Sequence, residues 1–212
     1  IRMSGELAIP DAMAEGELIR HMQRMAAKNT SASQMPIFTG AGVYDHEIPS
    51  VVDAVISRSE FLTAYTPYQP EASQGELQAI FEFQTMISEL TGMDVTNSSL
   101  YDGAASLGEA VGLAQAVTRK KKVLVSKGVH PHSRAVLHTA SPGRGNEIVE
   151  IPLEKDLTNL DILQSELDEN TAAVVIQYPN FFGTIEDLAA VKAMLESTKT
   201  KLIVVANPLA LA

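Results

Sequence analysis

Residues 172–206, AAVVIQYPNFFGTIEDLAAVKAMLESTKTKLIVVA, decide the fold. They open on a short apolar run at 172–177, pass to helical spacing over 186–197 and return to a second apolar run at 201–206. A strand, a helix and a strand in that order predict two parallel strands joined by a crossover helix. Working outward toward the N-terminus, the alternation repeats. A helix at 104–118 leads to a strand at 122–126, one at 131–140 to a strand at 147–151, and one at 159–168 to the strand at 172–177. From residue 104 the chain therefore reads as α/β, a largely parallel sheet covered by helices on both faces. One connection, Ser141 to Asn146, contains Pro142, Gly143 and Gly145 and reads as flexible.

The first hundred residues follow a different pattern. Residues 12–28 place Leu18, Ile19, Met22, Met25 and Ala26 on one helical stripe with Asp11 as the expected N-cap, which predicts a packing arm. A second helix is predicted just after Pro49, through Val51, Val52, Val55 and Ile56, with Arg58 and Ser59 ending the stripe. A third is predicted to begin at Ser73, with Ser73 and Glu76 forming a capping box. Its expected buried face is Leu77, Ile80, Phe81, Ile87 and Leu90, and Gly92 its stop. Between these helices lie Tyr65, Thr66, Pro67, Tyr68, Gln69, Pro70 and Glu71, two prolines with no helical or strand alternation, and hence an ordered loop. Phenols and an amide held by two prolines make Tyr65, Thr66, Tyr68 and Gln69 the leading site candidates. The expected organisation is a helical arm and entrance loop over 1–60, followed by the α/β domain over 61–212.

Composition narrows the function. Sixteen Lys and Arg against 26 Asp and Glu give a net charge of −10, which disfavours nucleic acid. The basic run Arg119 to Lys122 passes straight into Val123 to Val125 and reads as a solvated loop entering a strand. No apolar run approaches a membrane span and no signal-like leader is visible. The absence of cysteine excludes disulfides and thiol chemistry within these 212 residues. The glycines at 40 and 42 lack a preceding strand and a third glycine, so a dinucleotide fingerprint is rejected. The histidines show no ligand spacing with acidic groups, and no metal site is expected.

The words TAYTPYQPE (63–71), SQGELQAIFEFQTM (73–86), ELTGMD (89–94) and NSSLYDGA (97–104) occur in this order almost without gaps. With GVYDHEIP (42–49), SRSEF (57–61), VHPHSRAV (129–136) and VVIQYPNFFG (174–183), they resemble the glycine cleavage system P-protein, glycine decarboxylase, in its alpha or N-terminal-type subunit. The agreement runs from about Ile37 to Pro208. The resemblance implies the large domain of a fold-type I pyridoxal phosphate enzyme, here incomplete at its C-terminus because subunits of that family are about twice this length. The chain begins Ile1, Arg2, Met3 and is expected to have lost a short leader or been trimmed.

The resemblance further implies a cytoplasmic alpha–beta assembly, expected as alpha2beta2, that decarboxylates glycine and passes the aminomethyl group to the lipoyl arm of the H-protein. Pyridoxal phosphate would sit on the beta-type partner. Three features of this chain accord with that division. Asp102 stands with Gly103 where the cofactor phosphate would need donors, and reads better as a helix N-cap. Asn207, beyond the last strand, cannot supply the charge that keeps a pyridine nitrogen protonated. No lysine follows a strand in the order the Schiff base requires. His130, where the superfamily often stacks a ring on the cofactor, then reads as a loop-ordering histidine. Tyr44 and His46 resemble a segment near the active-site entrance. Two other readings are a structural or regulatory subunit with no active-site residue, and the N-terminal part of a self-sufficient pyridoxal phosphate enzyme such as an aminotransferase.

Overall fold

The computed structural model describes Gly5, residues 9–42, residues 44–62, Thr66 and residues 69–211, with the side chains of 70–72 excepted. The chain divides into two compact units, Ile1–Glu47 and Ile48–Ala212.

The first unit contains helix α1, Glu15–Ala26. It starts later than the sequence predicts. Ala14 is the N-cap residue and makes no side-chain cap bond, so Asp11 does not cap it. Glu15 and Glu17 favour the start of the helix through its dipole, and Arg24 favours its last turn. Leu18, Ile19, Met22 and Met25 are all exposed.

The second unit opens with α2 (Ser50–Ile56), with Pro49 as the expected punctuation, then α3 (Ser59–Leu62) and the 22-residue α4 (Pro70–Thr91). Helix α4 reaches back one turn beyond the predicted start because Pro70 occupies its first position, where a missing N–H costs nothing. Ser73 leaves helical geometry at φ −148°, ψ 50°, so the regular part runs from Gln74. Gly92, at φ 69°, ends the helix in the left-handed conformation. Leu77, Ile80 and Ile87 are half-buried as the stripe predicts, but Phe81 and Leu90 are exposed.

Then follow α5 (Gly103–Thr118), β1 (Lys122–Ser126), α6 (Pro131–Arg144), β2 (Glu147–Ile151), β3 (Leu153–Glu154), β4 (Leu157–Thr158), α7 (Leu160–Glu166), β5 (Thr171–Tyr178), α8 (Leu188–Leu195) and β6 (Lys201–Ala206). The main sheet is parallel in the order β2-β1-β5-β6. Every residue of β1 is buried, as a strand covered on both faces should be. Leu107, Val111 and Ala114 of α5 and Leu137 of α6 pack on one face against Val123, Val125, Ala173 and Val175. Leu163 of α7 and Val191 and Leu195 of α8 pack on the other against Leu124, Ile151, Val174 and Ile176. Burying the valines, leucines and isoleucines among them, each worth roughly 1.5–3 kcal/mol, is what holds the layers together.

The expected loop at Ser141 to Asn146 is instead helical to Arg144, with Gly145 at φ 64° as the stop. Pro142 falls in the last turn, and the helix end is tied down from outside. Arg144 donates to the Gly108 carbonyl at 3.0 Å and to Glu109 at 2.8 Å, while Lys121 donates to the Arg144 carbonyl at 3.0 Å. The small antiparallel pair β3-β4 was not predicted. Among the described residues no helix is long and apolar enough to cross a membrane.

Candidate active-site edge

In a parallel sheet the carboxyl ends of the strands share one edge, and ligands of open α/β sheets bind there where the strand order reverses. Here the reversal lies between β1, whose successor β2 goes to one side, and β5 on the other. Four of the positions singled out in the sequence come to this edge: Asp102 and Gly103 at the start of α5, His130 after β1, and Asn207 after β6.

Each is engaged locally. Asp102 is extended at φ −156° and its Oδ1 accepts the Ala105 amide at 2.7 Å, the N-cap bond read from the sequence. Gly103 is the first residue of α5. His130 precedes Pro131 as the N-cap of α6. Its Nδ1 accepts the His132 amide at 3.1 Å, its own amide donates to Gln177 Oε1 at 2.8 Å, and its ring stands edge-on to Phe181 at 5.0 Å. Asn207 accepts the Leu209 amide through Oδ1 at 3.1 Å and donates its own amide to the Tyr178 carbonyl at 2.9 Å, joining the ends of β6 and β5.

Beneath the β5–α8 loop runs a buried polar network that the sequence did not reveal. Glu186, 6% exposed, accepts the Thr158 amide at 3.0 Å and Asn180 Nδ2 at 2.8 Å. Asn180 Nδ2 also donates to the Asp156 carbonyl at 2.7 Å, and its Oδ1 accepts the amides of Phe182 and Thr184. The Ser126 and Thr158 hydroxyls meet at 2.7 Å, and Ser126 Oγ accepts the Gly128 amide. A Cβ on Gly128 would stand 3.1 Å from Asn180 and 3.2 Å from both Glu186 and Ser126, so only glycine fits without a shift. The Phe181 amide closes the set by donating to the Gly128 carbonyl at 2.7 Å. The network fixes the loop that carries Phe181, and Phe181 in turn meets His130. The only sequence cue was the Asn180–Gly183 turn, with Gly183 at φ 81°.

The other candidates lie elsewhere. Tyr65 and Tyr68 fall outside the described residues. Thr66 is half-buried; Gln69 is exposed, serves as N-cap residue of α4 and donates its amide to the Thr66 carbonyl at 3.1 Å. Tyr44 and His46 are exposed in the first unit. Among the described residues no cluster of acidic or histidine side chains could hold a metal ion.

An ion-pair cluster around Lys122 marks the opposite edge of the sheet. Lys122 Nζ donates to the Glu166 carbonyl at 2.7 Å and to the carboxylates of Glu166 and Asp168 at 3.1 Å each. Burial works against its charge, but the bonds to Asp168 and Glu166 prevail and raise its pKa. Asp168 is lowered, first by that bond from Lys122. On the α6 side, burial opposes ionisation of Glu150, and the bonds from Arg134 at 2.7 Å and His138 at 3.1 Å outweigh it and lower its pKa.

Comparison with known proteins places these features. The family model for the glycine cleavage system P-protein matches residues 1–212. The chain is 57% identical over 211 residues to probable glycine dehydrogenase (decarboxylating) subunit 1 of Bacillus cereus (strain B4264), and equally to that of Bacillus thuringiensis (strain Al Hakam). Each match covers all of this chain and 47% of the relative, so the chain spans about half the length of the curated relatives it matches. A crystal structure of glycine decarboxylase (P-protein) of the glycine cleavage system, in inhibitor-bound form, superposes with a TM-score of 0.88 at 44% identity, covering 99% of this chain and 46% of that one. Sphingosine-1-phosphate lyase of Burkholderia pseudomallei K96243 shares the fold at a TM-score of 0.67 and 16% identity, covering 95% of this chain and 49% of that one. The architecture is that of the large domain of fold-type I pyridoxal phosphate enzymes.

That fold raises the question of how these residues compare with what pyridoxal phosphate requires. A phosphate at the start of α5 would need the Ala105 amide that Asp102 already holds, and would face the Asp102 carboxylate. Asn207 is neutral and spends its oxygen on a local cap. Lys120 and Lys122 are engaged at the amino-terminal edge of the sheet, and Lys127, beyond β1, is exposed. By the match along its whole length, and by a fold in accord with it, the chain belongs to the glycine cleavage system P-protein family.

Proposed function

We propose that this chain is the N-terminal portion of the subunit of glycine decarboxylase that does not carry the pyridoxal phosphate. The observation that carries this reading is the Asp102 cap, which sets a carboxylate where the cofactor's phosphate would have to bind. The decarboxylating chemistry then belongs to a beta-type second subunit, in keeping with relatives named subunit 1. Glycine is the substrate, the lipoyl arm of the H-protein receives the aminomethyl group, and the assembly is alpha2beta2 in the cytoplasm.

The chain's own part is to shape the subunit boundary and the entrance to the partner's site. Within it, Tyr65, Thr66, Tyr68 and Gln69, in the stretch of sequence that precedes α4, supply hydroxyl and amide groups, with Tyr44 and His46 as further entrance residues. The test is Tyr65→Phe and Tyr68→Phe in the complete two-subunit enzyme, with turnover and subunit association measured side by side. If the phenols orient the substrate, association stays intact and turnover falls by the equivalent of about 2–4 kcal/mol of transition-state stabilisation. Unchanged turnover with normal assembly removes these residues from the active site and leaves a purely structural subunit.

A further inference from the structure

The basic run Arg119 to Lys122 does more than carry the chain from α5 into β1. Three of its four side chains are drawn onto neighbouring elements at the amino-terminal edge of the sheet. Lys120 Nζ donates to the Thr171 carbonyl at 3.1 Å, Lys121 Nζ to the Arg144 carbonyl at 3.0 Å, and Lys122 to the end of α7. Arg119 is the exception. It follows α5 at φ 61°, the left-handed conformation that glycine usually takes, and its exposed side chain has no ion-pair or hydrogen-bond partner among the described residues.

This run and the end of α6 border a cavity of about 580 Å³. Its walls carry Arg119, Lys120, Lys121 and Arg144 against one carboxylate, Glu109, which is already paired with Arg144 at 2.8 Å. Four cations less one anion leave three positive charges at one place on a chain whose net charge is −10. The C-terminal ends of α5 and α6 offset about one of them through their dipoles, and the two lysines that bond carbonyls still keep their charge. A surplus of about two remains. Arg144 is held in place: its guanidinium donates to the Gly108 carbonyl and lies where a side chain at position 112 would stand, 2.9 Å from a Cβ on Gly112.

Two amides complete the wall. Gln115, 9% exposed, donates Nε2 to the Lys121 carbonyl at 3.2 Å. Asn146 Oδ1 is the one buried side-chain oxygen or nitrogen among the described residues without a hydrogen-bond partner. Since a half-turn of the side chain exchanges its oxygen and nitrogen, Asn146 brings to this wall hydrogen-bonding capacity that the fold does not use. We infer that the cavity binds a phosphate group, free or carried by a small metabolite, between Arg119 and Arg144 with Lys121 beside them. Guanidinium forks suit phosphate oxygens, the surplus charge matches a dianion, and the volume lies within the range of about 300–1,000 Å³ usual for small-ligand sites. The inference stands apart from the two-subunit reading above.

The experiment titrates inorganic phosphate into the subunit at the full length of its relatives by calorimetry, with glycerol phosphate and citrate as parallel ligands. The expected result is one saturable phosphate site per subunit with a dissociation constant below about 1 mM, weakened by added salt. Arg119→Gly removes the guanidinium and suits the backbone at φ 61°, so the urea midpoint should hold or rise while affinity falls at least about tenfold. Arg119→Lys should recover part of that loss. Glu109→Gln keeps an acceptor for Arg144 but removes the opposing charge, and should tighten binding by about threefold. Glycerol phosphate bound at least about tenfold more tightly than inorganic phosphate identifies a phosphorylated metabolite, and equal affinities identify the free ion. Absence of saturable binding up to about 10 mM, or affinity unchanged in Arg119→Gly, overturns the inference. Citrate binding in preference to both phosphates overturns the assignment to phosphate.

Discussion

Replacing Glu186 by alanine removes the hub of the polar network under the β5–α8 loop, and its cost follows from the geometry. The Thr158 amide, in a residue 4% exposed, loses its acceptor at 3.0 Å and is left buried and unpaired, a loss of about 1–3 kcal/mol. Asn180 Nδ2 loses one bond of 2.8 Å but keeps the Asp156 carbonyl at 2.7 Å, so its share is about 0.5–1.5 kcal/mol. Together these give a destabilisation of about 2–4 kcal/mol. Glu186→Gln retains one acceptor, which can serve Asn180, but turns a donor toward the Thr158 amide, so about half the loss is expected. Urea unfolding followed by circular dichroism reads both variants on one scale, with an unchanged denaturant slope as the check that the native state is preserved. A loss below about 1 kcal/mol for Glu186→Ala would refute the reasoning, since it would mean that water or a rearranged loop satisfies both donors.

Gly75→Ala is expected to stabilise by up to about 1 kcal/mol in the same assay, because Gly75 lies inside α4, has an ordinary φ, and offers its Cβ open space. Asp102→Ala should cost about 1 kcal/mol by loss of the α5 cap while leaving turnover of the complete enzyme unchanged, as suits a cap and not a ligand. Stability should have two pH limits. Lys122, whose pKa is raised, contributes fully below its ordinary value of 10.5 and loses that contribution as pH rises through its higher folded value. Asp168 and Glu150, both lowered, contribute fully above their ordinary 3.8 and 4.5 and lose it as pH falls through their lower folded values. In urea midpoints measured against pH, Lys122→Met should abolish the alkaline limit and weaken the acid one, leaving the part due to Glu150 and to the bonds that Asp168 accepts from Thr171 and Asn170.

How far the sequence disclosed this molecule depended on the range over which each feature is determined. The strands at 122–126, 147–151 and 201–206 were legible to the residue because short runs rich in Val, Ile and Leu alternate with helical patterns, Glu147 and Glu150 interrupting only the edge strand. Helix ends were less so. The predicted helix over 186–197 is Leu188–Leu195, because Glu186 is drawn into the buried network and Asp187 caps the helix through the Ala190 amide at 2.9 Å. The hairpin of β3 and β4 has strands too short for any periodicity, and turns through Lys155 at φ 51° and Asp156 at φ 63°, where no glycine announces it. Asp102 could be read as a cap because its partner is three residues away. Glu186 could not be read at all, since the Thr158 amide it accepts lies 28 residues back along the chain.

The central claim, that this chain belongs to the decarboxylase without itself holding the cofactor, is tested most directly by titrating pyridoxal phosphate into the full-length subunit alone, into its second subunit, and into the two combined. Absorbance of the lysine-bound cofactor and release of carbon dioxide from glycine are followed together. The account predicts no stoichiometric, lysine-dependent absorbance for this subunit alone, and decarboxylation when both are present. One bound cofactor on the lone subunit, lost when a lysine of this chain is replaced, would contradict it.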